Sequence, residues 1–199
     1  MRSLLSVPFA YRILMTAVGG TRGRRAYVSD HIRPVPSCRV LDLGCGPADI
    51  LDAMPPVRYV GVDVHAPYIM LARRRFPDAT FIVNAIQDLP LDTFGGFDRV
   101  LATGVLHHLD DAGAARLIEI AASALAVGGV FVALDPCWED DQSWLSRAFI
   151  SADRGRFVRR AEQYAGLVRQ KFSSVETVVR RDLLRVPYTH SVVRATHNS

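Results

Sequence analysis

Short apolar runs alternate along the chain with longer stretches in which apolar residues recur at helical spacing. The runs have the length and the β-branched and aromatic content of buried strands, and they cover residues 39–43, 59–64, 80–83, 97–102, 130–134, 175–179 and 191–195. Between them, helices are predicted over residues 48–54, 66–75, 110–126 and 157–172. Pro77 ends the second of these helices, and Gly128 with Gly129 ends the third.

This alternation predicts an α/β fold. Five strand-then-helix units imply a doubly wound, Rossmann-like sheet that is mainly parallel and seven-stranded, with helices on both faces. The last two strands are joined by residues 180–190, which are too few for a crossover helix, so we expect a C-terminal antiparallel hairpin. Residues 1–37 are predicted to form an N-terminal helical cap on a core of residues 38–199, within a single domain.

The cap contains the apolar stretch of residues 3–20, which resembles a signal or membrane segment. Pro8 and Arg12 interrupt it, and its uncharged part is shorter than the roughly 20 residues that a transmembrane helix requires. We therefore expect no transmembrane segment and interpret the stretch as a helix packed on the domain. A peripheral membrane contact is the alternative.

Composition narrows the classes of function. The 199 residues carry a net charge of +4, but the basic residues are scattered and form no single stripe, which argues against a nucleic-acid-binding surface. The 3 cysteines have no CxxC spacing, so we predict neither a disulfide framework nor a metal site. A reducing cytoplasm is the simplest location for such a chain.

The first predicted strand runs into the sequence LDLGCGPAD, in which two glycines follow an apolar run. Gly44 and Gly46 permit a sharp turn and a close approach of the backbone to a ligand at the carboxyl edge of the sheet. Asp63 closes the second strand, at the position where a carboxylate accepts hydrogen bonds from ribose hydroxyls. Together these features predict a ligand that contains adenosine.

Two further acids distinguish between such ligands. A dinucleotide site has the pattern GxGxxG, but Asp49 stands at the third glycine position, where it would repel a pyrophosphate. Asp42 adds a second negative charge just before the glycines. The loop therefore favours a cationic cofactor, S-adenosylmethionine (SAM), over NAD.

These segments resemble the motifs of class I SAM-dependent methyltransferases, of the small UbiE-like kind. LDLGCGPAD is similar to the first motif, YVGVDV to the second, FDRVLATGVLHHL to the fourth and GGVFVALDP to the segment after it. The resemblance implies that Asp63 binds the ribose and Val64 the adenine. It also implies that the methionine portion of SAM is surrounded by Asp42, Gly44, Cys45 and Gly46.

The third motif departs from the family pattern. The acid that usually contacts the adenine amine is replaced by Ala85, and Ile86 follows it. Backbone groups, apolar walls or Gln87 would then hold the adenine.

The sequence TGVLHH follows the fourth strand, at the edge where the resemblance places the reactive methyl group. Its first residue, Thr103, is expected to contact the cofactor, as are Ala85 and Ile86. Methyl transfer needs a base only when the acceptor carries a proton that must leave. His107 or His108 is the candidate base, with His107 favoured. The alternative is that both histidines are structural.

Aromatic and basic residues of the cap, of the segment after the fifth strand and of the closing hairpin are predicted to reach the acceptor. They are Tyr11, Tyr27, Trp138, Arg154, Tyr188 and His190. Arg154 and Arg156 could hold an anion, so the expected acceptor combines an acidic group with an aromatic or apolar body.

We therefore predict a SAM-dependent methyltransferase that acts on a small organic acceptor, in specialised metabolism. Methylation of DNA bases is disfavoured because the sequence ATGV lacks the Asn/Asp-Pro-Pro-Tyr/Phe run that grips a planar amine. RNA methylation and a non-catalytic SAM-binding subunit are the alternatives, and a homodimer is left open.

Overall fold

The computed structural model describes residues 20–90, 92–153 and 155–197. Its strands are β1 (Arg39–Leu43), β2 (Arg58–Asp63), β3 (Thr80–Val83), β4 (Phe97–Thr103), β5 (Leu125–Trp138), β6 (Arg159–Arg160), β7 (Ser174–Arg180) and β8 (His190–Thr196). Its α-helices are α1 (Gly20–Tyr27), α2 (Ala66–Arg75), α3 (Asp111–Ala124), α4 (Trp144–Ser151) and α5 (Ala161–Val168).

All the strands belong to one sheet with the order β3-β2-β1-β4-β5-β8-β7, and the two-residue β6 pairs with β5 beside this path. The first five strands pair in parallel, whereas β8 lies antiparallel between β5 and β7. The predicted Rossmann-like sheet with a C-terminal antiparallel hairpin is confirmed. Because the strand order reverses between β1 and β4, a ligand is expected beyond their carboxyl ends.

Helices cover both faces of the sheet, and successive side chains of β1 pack against the helices of opposite faces. Leu41 and Leu43 pack in the core cluster that contains residues of α3 and α5, whereas Val40 packs in the cluster that contains residues of α1 and α2. Successive side chains of a strand point to opposite faces, so one short apolar run contributes to both clusters. The sequence of a strand that is buried on both faces is therefore a nearly uninterrupted hydrophobic run.

Three predicted helices differ from the observed ones. The helix expected over residues 48–54 is a single 3-10 turn, Asp49–Ala53, preceded by Ala48 in the left-handed conformation (φ 56°). The helix expected over residues 157–172 is shortened to α5, because β6 occupies residues before it. The glycine pair Gly128-Gly129 does not end α3; Leu125 is already extended, and both glycines lie inside β5.

One helix, α4, was not predicted from the sequence. α4 begins at a Ser143 N-cap, whose hydroxyl accepts a hydrogen bond from the Ser146 amide, and it leads to the segment beside the ligand edge. Of the predicted cap, the structure describes α1 and the π-helical turn Val28–Ile32 that follows it. In the described ranges, no helix combines the length and the hydropathy needed to span a bilayer.

Candidate functional site

A cleft of about 1360 Å³ opens beyond the carboxyl ends of β1, β2 and β4. Its floor is the glycine loop after β1, and its walls come from α1, the end of α4 and the loop between β7 and β8. α1 and that loop meet directly, since a Cβ on Gly23 would lie 1.8 Å from the carbonyl oxygen of Leu183. These two segments therefore roof the cleft together.

The glycine loop depends on backbone angles that side chains rarely adopt. Gly44 has a φ of +82°, and a Cβ there would lie 2.4 Å from Cγ2 of Val105. Gly46 has a φ of +53°, but a Cβ there would meet no atom within 4 Å, because this part of the loop faces open space. The backbone at Gly46 is thus accessible to a ligand in the cleft.

Asp63 ties the glycine loop to the end of β2. Its Oδ2 accepts a hydrogen bond of 2.8 Å from the amide of Gly46, and its Oδ1 accepts one of 2.7 Å from the amide of His65. Both Asp63 and the adjacent Val64 line the cleft. A carboxylate oxygen can accept more than one hydrogen bond, so the fixed carboxylate keeps acceptor capacity for a ligand.

Asp42 lies beneath the loop and is only 2% exposed. Its Oδ2 accepts a hydrogen bond of 2.6 Å from the hydroxyl of Tyr59, whereas its Oδ1 has no hydrogen-bond partner among the described residues. Burial raises the pKa of Asp42 to about 7, against the opposing effect of the Tyr59 hydrogen bond, and the nearby charge of Asp63 raises it further. An unpartnered buried carboxylate oxygen beside a cleft is suited to a cationic ligand group.

The role predicted for Asp49 needs correction. Arg75 donates hydrogen bonds to the Asp49 carboxylate at 2.5 Å, to the carbonyl of Pro47 at 2.7 Å and to Asp52 at 2.6 Å. The charge of Asp49 is therefore balanced, and the preference of the loop for a cation depends on Asp42. The turn after Ala48 brings these carboxylates against Arg75, at the end of α2.

The other residues predicted to contact the cofactor also line the cleft, and they are Cys45, Ala85, Ile86 and Thr103. Gln87, which the sequence analysis offered as a contact for adenine, also lines the cleft. The hydroxyls of Thr103 and Tyr27 are both buried, and Thr103 lies close enough to Tyr27 to oppose the effect of burial on the Tyr27 pKa. Burial is the larger effect and raises the pKa of Tyr27, so its hydroxyl is neutral.

His107 does not line the cleft, although it was the favoured base. It is 4% exposed, and its Nδ1 lies 2.7 Å from Oδ1 of Asp135. Gly155 packs against the other side of the ring, where a Cβ would lie 2.1 Å from Cδ2. His107 is thus enclosed between β5 and the segment after α4, which suits it to positioning its neighbours.

His108 does line the cleft, next to His107, with 4.0 Å between the two ring centroids. Burial lowers the pKa of His108, and the neighbouring His107 lowers it further. His190 lines the cleft from the start of β8, and burial lowers its pKa to about 4. Both rings are therefore neutral at pH 7 and can accept a proton or a hydrogen bond.

The residues predicted to reach the acceptor are only partly brought together. Tyr27 lines the cleft, and Tyr188 borders it, with its ring 4.8 Å from that of His190. Trp138 does not line the cleft, because β5 carries it to the pairing with β6. Arg156 is exposed and also lies outside the lining, whereas Tyr11 and Arg154 fall outside the described residues.

Sequence reasoning missed apolar residues that line the cleft. They are Leu109, Phe149, Leu183 and Leu184. The signal for Phe149 was present, because Ser143 followed by an apolar run marks the start of α4. The two leucines lie in a loop, which carries no periodic pattern.

The fold is similar to that of solved SAM-dependent methyltransferases: the TehB-like enzyme of Corynebacterium glutamicum superposes with a TM-score of 0.70 at 18% identity over 96% of both chains, and this similarity supports SAM as the cofactor. Residues 40–129 match the family model described as a methyltransferase domain. An uncharacterized methyltransferase of Synechocystis sp. is 29% identical over 126 residues, which are 62% of this chain and 59% of that protein. The ubiquinone biosynthesis O-methyltransferase of Xanthomonas axonopodis is 30% identical over 112 residues, 53% of this chain and 46% of that protein.

The chain thus spans about half the length of these curated relatives. Among solved structures, the N-methyltransferase NodS of Bradyrhizobium japonicum in complex with S-adenosyl-L-homocysteine superposes with a TM-score of 0.66 at 19% identity. That match covers 90% of this chain and 86% of NodS, which shows a shared fold.

Proposed function

We propose that this protein transfers a methyl group from SAM to a small organic acceptor. The observation that carries the proposal is the unpartnered, buried Oδ1 of Asp42 under a glycine loop whose backbone faces the cleft. A carboxylate in this position fits the ammonium group of SAM and disfavours a pyrophosphate. The two curated relatives named above are methyltransferases, and NodS, whose fold this chain shares, is an N-methyltransferase. These similarities support the same conclusion.

Each part of the cofactor has a complementary part of the cleft. Asp42 would hold the ammonium group, and Asp63 would accept hydrogen bonds from the ribose hydroxyls. Val64, Ile86 and Gln87 line the region left for adenine. When bound, SAM supplies an electrophilic methyl group on a cationic sulfonium.

His108 is the residue best placed to receive the acceptor's proton, because it is neutral at pH 7 and borders the cleft just after β4. When the acceptor takes up the methyl group, the proton that leaves it would pass to the imidazole of His108. His107, held by Asp135, keeps the neighbouring segment in place. Alignment and exclusion of water account for the rest of the catalysis.

The acceptor we propose is small, because the cleft of about 1360 Å³ has to hold the cofactor as well as the acceptor. Small-molecule metabolism, including specialised metabolism, is the corresponding setting. The 3 cysteines are buried and free, which suits a reducing cytoplasm.

Transfer of radiolabelled methyl groups tests the proposal. The protein is incubated with methyl-labelled SAM and, in separate reactions, with a small-molecule extract, with total RNA and with buffer. We expect label in the small-molecule fraction, and its loss with the His108→Ala variant. Label in RNA alone contradicts a small acceptor, and label in neither fraction contradicts the enzymatic role.

A further inference from the structure

We propose that the acceptor is an organic amine on an apolar body, and that Asp153 recognises its amino group. This inference rests on the proposed methyltransferase function and names its substrate class. It replaces the acidic acceptor that the sequence suggested.

The charges that line the cleft favour a cation. The acidic residues of the lining are Asp42, Asp49, Asp63 and Asp153, of which Asp49 is paired with Arg75, and in the described part of the chain the lining contains one arginine, Arg24. Arg24 belongs to the cofactor end, where its guanidinium donates a hydrogen bond of 3.2 Å to the backbone carbonyl of Asp49. The acceptor end thus contains a carboxylate and, among the described residues, no guanidinium or ammonium group.

Asp153 is held in a defined position at that end. Its Oδ2 accepts a hydrogen bond of 2.7 Å from the Tyr188 hydroxyl, and its Oδ1 lies 3.9 Å from Nε2 of His107. Its amide donates to the carbonyl of Ile150 at 3.1 Å, which fixes the backbone at the end of α4. The side chain is 34% exposed and lines the cleft, so the carboxylate has lone pairs available to a donor on the acceptor.

Apolar side chains line the same cleft as this carboxylate. They are Leu109, Phe149, Leu183 and Leu184, and they offer burial to the carbon skeleton of an acceptor. An amino group can donate to Asp153 while its skeleton contacts these residues. A carboxylate on the acceptor would instead face a like charge at close range, which is unfavourable in a partly desolvated cleft.

Three probes of matched shape test the inference: 2-phenylethylammonium, 2-phenylethanol and 3-phenylpropionate. Their binding is measured by calorimetry on protein saturated with S-adenosylhomocysteine, for the wild type and for Asp153→Asn. We expect millimolar affinity for the ammonium probe, which is ordinary for a ligand of this size. We expect it to bind at least about tenfold more tightly than the carboxylate, because one charge pair changes from attraction to repulsion.

Asp153→Asn should remove most of this difference, whereas Asp78→Asn, an exposed acid outside the cleft, should preserve it. Equal or tighter binding of 3-phenylpropionate overturns the inference and favours an anion site at Arg154. Failure of the ammonium probe to bind also overturns it. Binding of S-adenosylhomocysteine is recorded in the same experiment: its absence in the wild type contradicts the proposed function, whereas its presence with the wrong probe preference contradicts only the acceptor class.

Discussion

The hydroxyl of Tyr59, on β2, donates a 2.6 Å hydrogen bond to Oδ2 of Asp42, on β1, directly below the glycine loop. It fixes the carboxylate so that the other oxygen, Oδ1, stays buried without a partner. Because strands β1 and β2 are neighbours in parallel register, the pair is built into the sheet itself. The carboxyl group is thus held where the ligand's cation is expected.

The first prediction concerns the pH dependence of SAM binding. Burial raises the pKa of Asp42 to about 7 in the free protein, so the carboxyl is increasingly protonated below that pH. A protonated carboxyl attracts an ammonium group less, and SAM affinity should therefore fall by up to about tenfold per pH unit below pH 7. Calorimetry between pH 5.5 and 7.5, values that bracket the pKa, measures this slope. Asp42→Asn should bind weakly at every pH; a wild-type affinity independent of pH contradicts the role of Asp42.

The second prediction concerns stability without ligand. The pKa of Asp42 is raised in the folded state from its ordinary 3.8, so the folded protein binds more protons than the unfolded chain between pH 4 and pH 7. This contribution to stability is full below pH 4 and is lost as the pH rises through 7. The change in the free energy of unfolding caused by Asp42→Asn should be more favourable at pH 8 than at pH 4 by about 1–3 kcal/mol, because at pH 8 the substitution removes a buried charge. Urea denaturation at the two pH values measures it, and an equal effect at both would count against a buried charge.

The third prediction compares two glycines on helices. Gly23→Ala places a Cβ 1.8 Å from the Leu183 carbonyl oxygen, so α1 must move away from the loop that roofs the cleft. The expected cost is about 1–3 kcal/mol of stability together with weaker SAM binding, because overpacking is relieved only by moving backbone. Gly166→Ala in α5, where a Cβ meets no atom within 4 Å, should stabilise the fold by about 0.5–1 kcal/mol. Thermal unfolding with and without SAM compares them; identical behaviour would exclude contact between α1 and the loop.

The fourth prediction separates the two histidines. His108→Ala should reduce the turnover number by about 10²–10⁴-fold while SAM affinity stays nearly constant, because a general base acts on the chemical step. His107→Ala should instead lower the free energy of unfolding by about 1–3 kcal/mol, because Asp135 loses its buried partner. Turnover, SAM affinity and urea denaturation are measured on both variants. Normal turnover in His108→Ala would show that His108 is not the general base and has only a structural role.

Local sequence patterns predicted the sheet well, since strands β1 to β5 and the β7–β8 hairpin follow from apolar runs and from the length of their connections. The residues of the glycine loop could be found for the same reason, because Gly44, Gly46 and Asp63 occupy strand ends. The pairing of Arg75 with Asp49 could not be predicted, since it joins a helix to a turn across the sheet edge. The pattern TGVLHH likewise does not reveal which histidine faces the cleft.

Calorimetry with SAM and with NAD, on the wild type and on Asp63→Ala, tests most directly whether the cleft binds SAM. We expect binding of SAM, no measurable binding of NAD, and a loss of roughly 1.5–3 kcal/mol of SAM affinity in Asp63→Ala, because a charged acceptor of the ribose hydroxyls is removed. Asp78→Ala, outside the cleft, should bind SAM as the wild type does. Tight binding of NAD without binding of SAM would show that SAM is not the cofactor.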